Sequence, residues 1–414
     1  MKILVLGINY APEAIGIAVY TSGLCEALVE RGHEVSVVTA QPYYPDWKVP
    51  EEFRGLKWRT SVERGVRVVR VPIYVPANPT GKARIAHHAS FAASAAVPLM
   101  REARRMRPDL VLCVAPSLVS APVARMVAWW TGAQSWLHIQ DFEVGAALGT
   151  GLLPAGGNVA KAAIAFERNT ITGFDRVSSI SQEMCRRLTD LGIAAERVHE
   201  FRNWSDESIQ PLKGESRYRT RWGLEGRHVA LYSGNIGRKQ GIEIIVEAAR
   251  LLKDRQDIAF VICGQGPYRA ELEARAAGLG NIQFHGLQPV DALNDLLGLA
   301  SVHMLPQSAD AADQVLPSKL VNMLASGRPV VATAHPDTGL AREMQGCGLL
   351  VPPADAKGFA NAIRTLVDDR ELNARTAQAA RARAELVWSR NQIISRCETW
   401  LKTPLVAGAP GADR

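Results

Sequence analysis

Residues 313–334, DQVLPSKLVNMLASGRPVVATA, constrain the fold more than any other part of this sequence. Apolar residues recur at helical spacing through KLVNML, and Pro317 suits the first turn of that helix. Gly327 and Pro329 end the helix, and the β-branched run PVVATA after them predicts a strand buried on both faces of a parallel sheet. The pattern predicts a loop, a helix and a strand, which is the repeating unit of an α/β fold.

Lys319 lies in the first turn of this predicted helix. In a parallel sheet, ligands bind outside the carboxyl ends of the strands, where helix N-termini present unpaired N–H groups and a positive dipole to anions. A lysine at that position indicates a bound phosphate. A solvated lysine on an ordinary helix is the alternative, and the residues around Lys319 favour the phosphate.

The length of 414 residues exceeds what one hydrophobic core supports, so we expect two domains of about 200 residues each. The six cysteines are scattered without a CxxC pair, which argues against a disulfide framework or a zinc site. The apolar start MKILVLGINY is too short for a signal peptide, and no later run is long enough to span a bilayer, so a cytoplasmic location is expected. The net charge of +7 is compatible with nucleic acid, anionic lipid or phosphate ligands.

The chain opens with a predicted βαβ unit, strand KILVLG, a helix over residues 17–31 and strand EVSVVTA. The turn after the first strand lacks a GxGxxG fingerprint, which argues against a nicotinamide dinucleotide. Gly16 stands at the helix entrance, where a missing side chain lets a diphosphate approach the backbone. A simple turn glycine is the alternative.

Two later parts of the first half carry candidate ligand contacts. Residues 41–65 form a long segment without helical or strand pattern but with several tyrosines and tryptophans, so they are predicted to contact a sugar acceptor or to pack on the surface. Residues 81–107 predict a long helix with six Lys or Arg residues against one acid. The predicted strand SWLHIQD ends in His138 and Asp141, which are placed by this pattern at the ligand edge and interpreted as catalytic contacts.

Four stretches taken together resemble a known family: INYAPEAIGIAVYTSGLCEALVERGHEVSVVTAQPYYP, YSGNIGRKQGIE, FVICGQGPYRAELE and MLPQSADAADQVLPSKLVNMLASGRPVVATA. In this order they are similar to the nucleotide-sugar glycosyltransferases of family four, and most to those of the colanic-acid type in exopolysaccharide assembly. The resemblance covers essentially the whole chain. It implies the GT-B fold, with two Rossmann-like doubly wound domains, and a retaining transfer reaction.

The resemblance also sets the expected domains. Residues 1–203 are predicted to form the acceptor-binding domain and residues 204–385 the nucleotide-sugar-binding domain, with a polar linker at residues 203–218. The C-terminal helix, about residues 386–403, is expected to return to the first domain, with Trp388 and Trp400 as its anchors.

The donor-binding residues predicted in the second half are cationic or polar. Besides Lys319 they are Gly234, Asn235, Arg238 and Lys239 in SGNIGRKQG, and Asp313, Gln314 and Asn322 around the lysine. Family members carry two glutamates eight positions apart at the places of Gln314 and Asn322, so these amides retain hydrogen-bonding capacity without charge. Gln314 cannot be a carboxylate nucleophile, and Asp310 or Asp313 are its alternatives. No Asp-x-Asp pair occurs, so no metal cofactor is expected.

The sequence therefore predicts a metal-independent glycosyltransferase that uses a nucleotide-sugar, with GDP-fucose favoured and a UDP-sugar as the alternative. Its expected partners are a lipid-linked saccharide acceptor and the anionic inner face of the membrane, on which the basic helix would dock, and no nucleic acid. The alternatives are a GT-B sugar-nucleotide epimerase and a non-catalytic nucleotide-sugar-binding protein.

Overall fold

The computed structural model describes residues 1–14, 16–145, 157–308 and 317–403. These residues divide into two compact units. Unit 1 comprises residues 1–203 together with the C-terminal residues from Ile394, and unit 2 comprises Trp204–Ile393. The predicted boundaries were residues 203 and 385. Both units are α/β, as the sequence predicts.

The described residues of unit 1 include an eight-stranded sheet and five complete helices that precede its C-terminal part. Its elements are β1 (Lys2–Gly7), α1 (Ile17–Glu30), β2 (Glu34–Ala40), β3 (Arg59–Glu63), β4 (Val66–Val71), α2 (Gly81–Met106), β5 (Leu110–Ala115), α3 (Ala121–Thr131), β6 (Gln134–Ile139), α4 (Asn158–Thr172), β7 (Arg176–Ser179), α5 (Gln182–Asp190) and β8 (Val198–Glu200). The strand order is β3-β4-β2-β1-β5-β6-β7-β8, and β3 is antiparallel to β4 while the other pairs are parallel.

Unit 2 contains a parallel six-stranded sheet in the order β11-β10-β9-β12-β13-β14. Its elements are α6 (Tyr218–Arg221), β9 (His228–Ser233), α7 (Glu243–Leu251), β10 (Ile258–Cys263), α8 (Arg269–Arg275), β11 (Ile282–His285), α9 (Leu293–Gly298), β12 (Val302–Leu305), α10 (Ser318–Ala325), β13 (Val330–Thr333), α11 (Gly339–Glu343), β14 (Gly348–Val351), α12 (Ala356–Asp368) and α13 (Arg370–Val387). The last helix, α14 (Arg390–Lys402), starts in unit 2, and its residues from Ile394 group with unit 1.

The central strands are buried on both faces, as the apolar runs predict. All six residues of β5 and of β10 are buried, and so are all four residues of β12 and of β13. Helices on either side of a parallel sheet cover its backbone, so such strands carry no polar face. The alternation of buried strands and helices is the part of the fold that the sequence pattern defines best.

The prediction for residues 41–65 was wrong in its second half. This segment contains a 3₁₀ turn at Glu51–Phe53 and the strand β3, which pairs with β4 at the edge of the sheet. Most β3 side chains are exposed and polar, so the strand lacks the apolar alternation by which a half-buried strand is recognised.

The structure also differs from the sequence predictions at Pro317, in the linker after residue 203 and at Trp388. Pro317 is the N-cap of α10 and precedes its first turn. The predicted linker after residue 203 is not free, because Ile209 is buried in unit 2 and Ser216 Oγ donates a hydrogen bond to Asp295 O at 2.9 Å. Trp388, a predicted anchor to the first domain, belongs to unit 2 and is buried there.

Trp400 on α14 does pack against unit 1. Its ring meets Trp136 of β6 edge-on, with centroids 4.8 Å apart, and stacks on His199 of β8 at 4.4 Å. Arg31 and His33 also bind the carboxylate of Glu398 on the same helix. The C-terminal helix is therefore joined to unit 1 by aromatic and ionic contacts.

Trp400→Ala should lower the free energy of unfolding of unit 1 by about 3 kcal/mol, since a large aromatic side chain is removed from two ring contacts. Urea unfolding followed by circular dichroism would measure this. Leu386→Ala, at a site that is 71% exposed, is the matched control and should leave the midpoint unchanged. Equal midpoints for both variants would contradict the anchoring role.

Candidate functional site

The carboxyl edge of the unit 2 sheet contains a topological switch point between β9 and β12. The chain leaves β9 towards β10 on one side and leaves β12 towards β13 on the other. The connections that follow these two strands therefore diverge and leave a crevice, which is where open α/β sheets bind ligands. Gly234 is the first residue after β9. Lys319 lies on α10, the helix between β12 and β13.

Lys319 is held at this crevice by an aromatic ring. Its Nζ lies 4.0 Å from the centroid of the Tyr232 ring, and a Cβ built on Gly234 would lie 3.5 Å from the same Nζ. Within the described part of the chain, Lys319 forms no ion pair. Burial lowers the pKa of Lys319 to about 7, so an anion bound beside it would restore its full charge.

The helix that carries Lys319 adds a second attraction for anions. The eight-residue helix α10 starts after Pro317, and no side chain of the described residues caps its N-terminus. The first N–H groups of a helix and its macrodipole attract phosphate. The lysine and the helix N-terminus therefore act on the same side of the crevice.

Tyr232 also holds the loop after β9, which lies across the crevice from α10. Its hydroxyl donates a hydrogen bond to Asn235 O at 2.6 Å, and the side chain is fully buried. One residue thus supports the lysine through its ring face and the loop after β9 through its oxygen. The predicted residues Gly234, Asn235 and Lys319 are brought together around it.

Two glycines after β10 allow the neighbouring loops to touch. A Cβ on Gly264 would lie 1.9 Å from Gly234 O, and a Cβ on Gly266 would lie 2.1 Å from Ile236 O. Ile236 N also donates to Gln265 O at 2.8 Å. Because only glycine permits this approach, the loops after β9 and β10 form one rigid floor.

The contacts described for Arg238 do not include Lys319. Its guanidinium pairs with Glu271 of α8 and lies 4.5 Å from the centroid of the Tyr268 ring. For Lys239 the structure describes the backbone alone, within the 3₁₀ turn Arg238–Gln240. Which of the two residues contacts a diphosphate stays a prediction.

Asn322 uses its side-chain oxygen within the protein. Asp206 N donates a hydrogen bond to Asn322 Oδ1 at 3.0 Å, so the amide holds the segment after residue 203 against α10. This contact differs from the predicted ribose contact, for which the amide NH₂ is the remaining donor. The predicted Asp313 and Gln314, and the alternative Asp310, lie outside the described residues.

In unit 1, His138 does not have the geometry predicted for it. The side chain is 2% exposed, with Nδ1 at 2.9 Å from Ser178 Oγ and Nε2 at 3.0 Å from the Gln140 amide. Burial lowers the pKa of His138 to about 3, so the ring is neutral and only weakly basic at pH 7. Both ring nitrogens are engaged in unit 1, which favours a positioning role over direct contact with a reacting sugar.

Asp141 and Gly16 do reach the carboxyl edge of the unit 1 sheet. Asp141 is exposed directly after β6, and desolvation by surrounding atoms raises the pKa of its carboxyl. Gly16 is the N-cap of α1 with φ 69°, a conformation that favours glycine, and a Cβ there would lie 3.6 Å from the Tyr44 ring. Their roles in binding stay predictions.

Two carboxylates at the same edge were missed from the sequence. Glu13 is buried and accepts hydrogen bonds from the backbone N–H groups of Tyr43 and Tyr44 at 2.8 and 2.9 Å. Glu143 accepts one from Leu118 N at 2.7 Å. The sequence could have indicated both residues by their position, because each lies in the loop that follows the carboxyl end of a strand. They organise the loops around the crevice of unit 1.

The aromatic segment is divided between two places. The Tyr43 and Trp47 rings lie 4.5 and 5.2 Å from the ring of His87 on α2, near the carboxyl edge. Trp58 instead lies under the guanidinium of Arg101, at the other end of α2, with 4.8 Å to the ring centroid. Tyr43 and Trp47 thus lie at the edge where ligands bind and Trp58 does not, and contact with an acceptor stays a prediction.

Neither a cluster of metal-binding side chains nor a membrane-spanning helix occurs among the described residues. Among them, no group of three or more His, Cys, Asp and Glu side chains has the proximity that would hold a metal ion. Likewise, no helix of residues 1–14, 16–145, 157–308 and 317–403 combines the length and apolarity needed to cross a membrane.

Comparison with known proteins identifies the family. Residues 16–204 match the glycosyl transferase 4-like domain, and residues 215–383 match the glycosyl transferases of group 1. A protein of Escherichia coli (strain K12) named for colanic acid biosynthesis, the glycosyl transferase WcaI, is 43% identical over 88% of this chain and 91% of its own length. The chain belongs to glycosyltransferase family four.

Solved structures of this glycosyltransferase class share the fold. Sucrose-phosphate synthase from Thermosynechococcus elongatus superposes with a TM-score of 0.70 at 18% identity, over 97% of this chain and 98% of that one. Anabaena HepE in complex with UDP gives a TM-score of 0.69 at 18% identity, over 97% and 99%. These similarities establish the GT-B fold of the glycosyltransferase.

The lowered pKa of Lys319 predicts how nucleotide binding depends on pH. Above pH 7 the free side chain loses its proton, whereas a bound diphosphate raises the pKa and requires proton uptake. The Kd for a nucleoside diphosphate should therefore rise by up to about tenfold per pH unit above 7. Calorimetry at pH 7, 8 and 9 would measure it.

A Lys319→Arg variant that still binds the nucleotide is the matched control. Its guanidinium stays charged over this range, so its Kd should not change with pH. A flat profile for the unsubstituted enzyme would show that Lys319 is not the titrating contact.

Proposed function

We propose that this glycosyltransferase transfers a sugar from a nucleoside-diphosphate sugar to an acceptor with retention of anomeric configuration. The observation that carries the proposal is the cation at the β9–β12 switch point, where Lys319 Nζ lies over the Tyr232 ring beside Gly234 and the N-terminus of α10. HepE of Anabaena, which shares the fold, has been solved in complex with UDP and with UDP-glucose, and this supports a nucleotide-sugar donor.

The proposed chemistry uses these groups to stabilise the leaving diphosphate. Negative charge grows on the diphosphate as the bond to the sugar breaks, and fixed cations and helix dipoles stabilise that charge. Lys319 and α10 would supply this stabilisation, with Arg238 or Lys239 as a second cation. We propose that no metal ion takes part, because the sequence lacks the Asp-x-Asp pair that would hold one.

Retention is proposed to follow a front-face route in which the leaving phosphate accepts the proton of the acceptor hydroxyl. Gln314, at the position of a family carboxylate, has no charge and cannot attack the sugar. His138, held neutral with a pKa of about 3, is too weak a base for this proton. Asp310 or Asp313 would be the nucleophile in the competing double displacement.

The proposed donor is GDP-fucose, with UDP-sugars second, and the proposed acceptor is a lipid-linked saccharide of exopolysaccharide assembly. Similarity to WcaI, whose name places it in colanic acid biosynthesis, supports this assignment. A lipid-linked acceptor stays in the bilayer, so the enzyme is proposed to act at the cytoplasmic face of the inner membrane. A thermal-shift comparison of GDP, UDP and ADP tests the base, because the tightest ligand stabilises the fold most.

Replacing Lys319 by alanine tests the phosphate contact. The variant loses a charge-assisted hydrogen bond of about 1.5–3 kcal/mol, so donor affinity should fall by roughly 10- to 150-fold in calorimetry. Lys253→Ala, an exposed lysine of unit 2, is the control and should bind like the parent. Parental affinity in Lys319→Ala would reject the phosphate assignment.

Chelation tests the metal-independent chemistry. Transfer should continue at an unchanged rate in EDTA, because charge stabilisation is assigned to side chains and a helix N-terminus. Loss of activity that Mg²⁺ or Mn²⁺ restores would refute it. Donor incubated without acceptor is the companion measurement, since an epimerase would isomerise the sugar there and a transferase would not.

A further inference from the structure

Among the described residues of unit 1, helices α2 to α5 lie on one side of the sheet, with α5 at its β8 edge. Residues of α2, α3 and α4 contribute to a single core cluster with β1, β5 and β6, including Phe91, Val127 and Ile171. α3 joins β5 to β6 and α4 joins β6 to β7, so right-handed crossovers place both on the same face of the sheet. The solvent-facing surface of α2, α3 and α4 is called the outer helical face below.

The outer helical face carries no exposed carboxylate among the described residues of these helices. Their only acids are Glu102 and Glu167, and both are buried, with Glu102 bound to Arg67, Arg105 and Ser36. The exposed charges are all basic: Lys82, Arg84, Arg101, Arg104, Arg105, Lys161 and Arg168. The face is therefore strongly cationic, although the whole chain has a net charge of only +7.

The same face exposes large apolar side chains. On α3, Trp129 is 65% exposed and Trp130 54% exposed. The others are Met126 on α3, Ile85 and Val97 on α2, and Val159, Ile164 and Phe166 on α4. Burial of large apolar side chains is favourable, so their exposure on three adjacent helices marks an interaction surface.

The exposed residues of α2 form a continuous stripe. Ile85, Ala89, Ala93, Val97 and Arg101 are all exposed and follow one another at a spacing of four. At 1.5 Å and about 100° per residue, this stripe rises about 24 Å along the helix axis and turns by about 160° around it, so Ala89, Ala93 and Val97 face outward while Ile85 and Arg101 lie at opposite margins of the exposed side.

We propose that the outer helical face docks on an anionic phospholipid bilayer, with Trp129 and Trp130 at the headgroup level and the basic residues against lipid phosphates. The proposal rests on the proposed function, because a lipid-linked acceptor must be met at the membrane. Tryptophan prefers the bilayer interface, and an amphipathic helix with a basic polar face lies in the interface plane.

Two other partners fit the face less well. A second copy of the chain related by a two-fold axis would bring two acid-free cationic faces together, and like charges repel. Nucleic acid would match the charge, but aliphatic side chains such as Ile85, Val97 and Ile164 have no role against a phosphate backbone. A bilayer satisfies both the charge and the apolar side chains.

The double variant Trp129→Ser/Trp130→Ser, made in the full chain, tests whether the two tryptophans anchor the protein on the bilayer. Cosedimentation with vesicles of phosphatidylglycerol and phosphatidylethanolamine should fall at least about tenfold, since two interfacial anchors are lost. Leu287→Ser/Val290→Ser, at two sites about 70% exposed in unit 2, is the matched control and should pellet like the parent. Both variants should keep the parental circular dichroism spectrum.

The charged part is tested by Arg101→Gln/Arg104→Gln. These arginines form no ion pair within the described part of the chain, whereas Arg105 holds the buried Glu102 and is left in place. Each basic residue near an anionic surface raises the membrane affinity by a factor of about five. Removing two of them should therefore lower the affinity for the vesicles roughly 30-fold. Arg370→Gln/Arg375→Gln on α13 is the control with the same charge change.

The outcomes separate the docking surface from the donor site. Loss of vesicle binding in the two unit 1 variants, with parental GDP or UDP binding, supports the proposal. Parental pelleting by either variant, equal binding of the parent to phosphatidylcholine vesicles, or a dimer that Trp129→Ser/Trp130→Ser dissociates would overturn it. If the parent binds vesicles but no nucleotide, the proposed function fails while the docking surface stands.

Discussion

The contact between Lys319 and Tyr232 is the interaction on which the donor side of this enzyme depends. It joins the end of β9 to the start of α10, the helix that follows β12. Because the chain leaves β9 and β12 in opposite directions, this contact spans the switch point. An ammonium beside a π-face retains some stabilisation without a counter-ion, while desolvation lowers its pKa. The site is therefore arranged in advance for a negatively charged ligand.

Sequence reasoning found Lys319 because it lies in the first turn of a predicted helix, where parallel sheets bind anions, and because the residues around it favour a phosphate over a solvated lysine. It could not find Tyr232, since a tyrosine within a strand looks like an ordinary core residue until α10 is placed over it. β3 was missed for the opposite reason, because an edge strand with exposed polar side chains has no burial pattern. Local periodicity predicts elements well, whereas pairing between distant elements needs the fold.

His138 shows a second limit of sequence reasoning. Its place at the end of β6 is correct, but the side-chain direction depends on Ser178 of the neighbouring strand β7 and on Gln140, two residues further along the chain. At this edge two carboxylates bind loop backbone instead, Glu13 to the two tyrosines and Glu143 to Leu118. Ligand contacts at this edge are thus determined by loop conformation as much as by catalytic side chains.

The burial of Glu102 and Glu167 has a consequence for the encounter of the enzyme with a membrane. Because both acids of α2, α3 and α4 are buried, the exposed charges on the described residues of this face all have the same sign. Within about one Debye length of an anionic surface, roughly 8 Å at physiological ionic strength, a face of one sign is attracted as a whole. In the proposed docking, this attraction would turn the outer helical face towards the lipid before any side chain touches it.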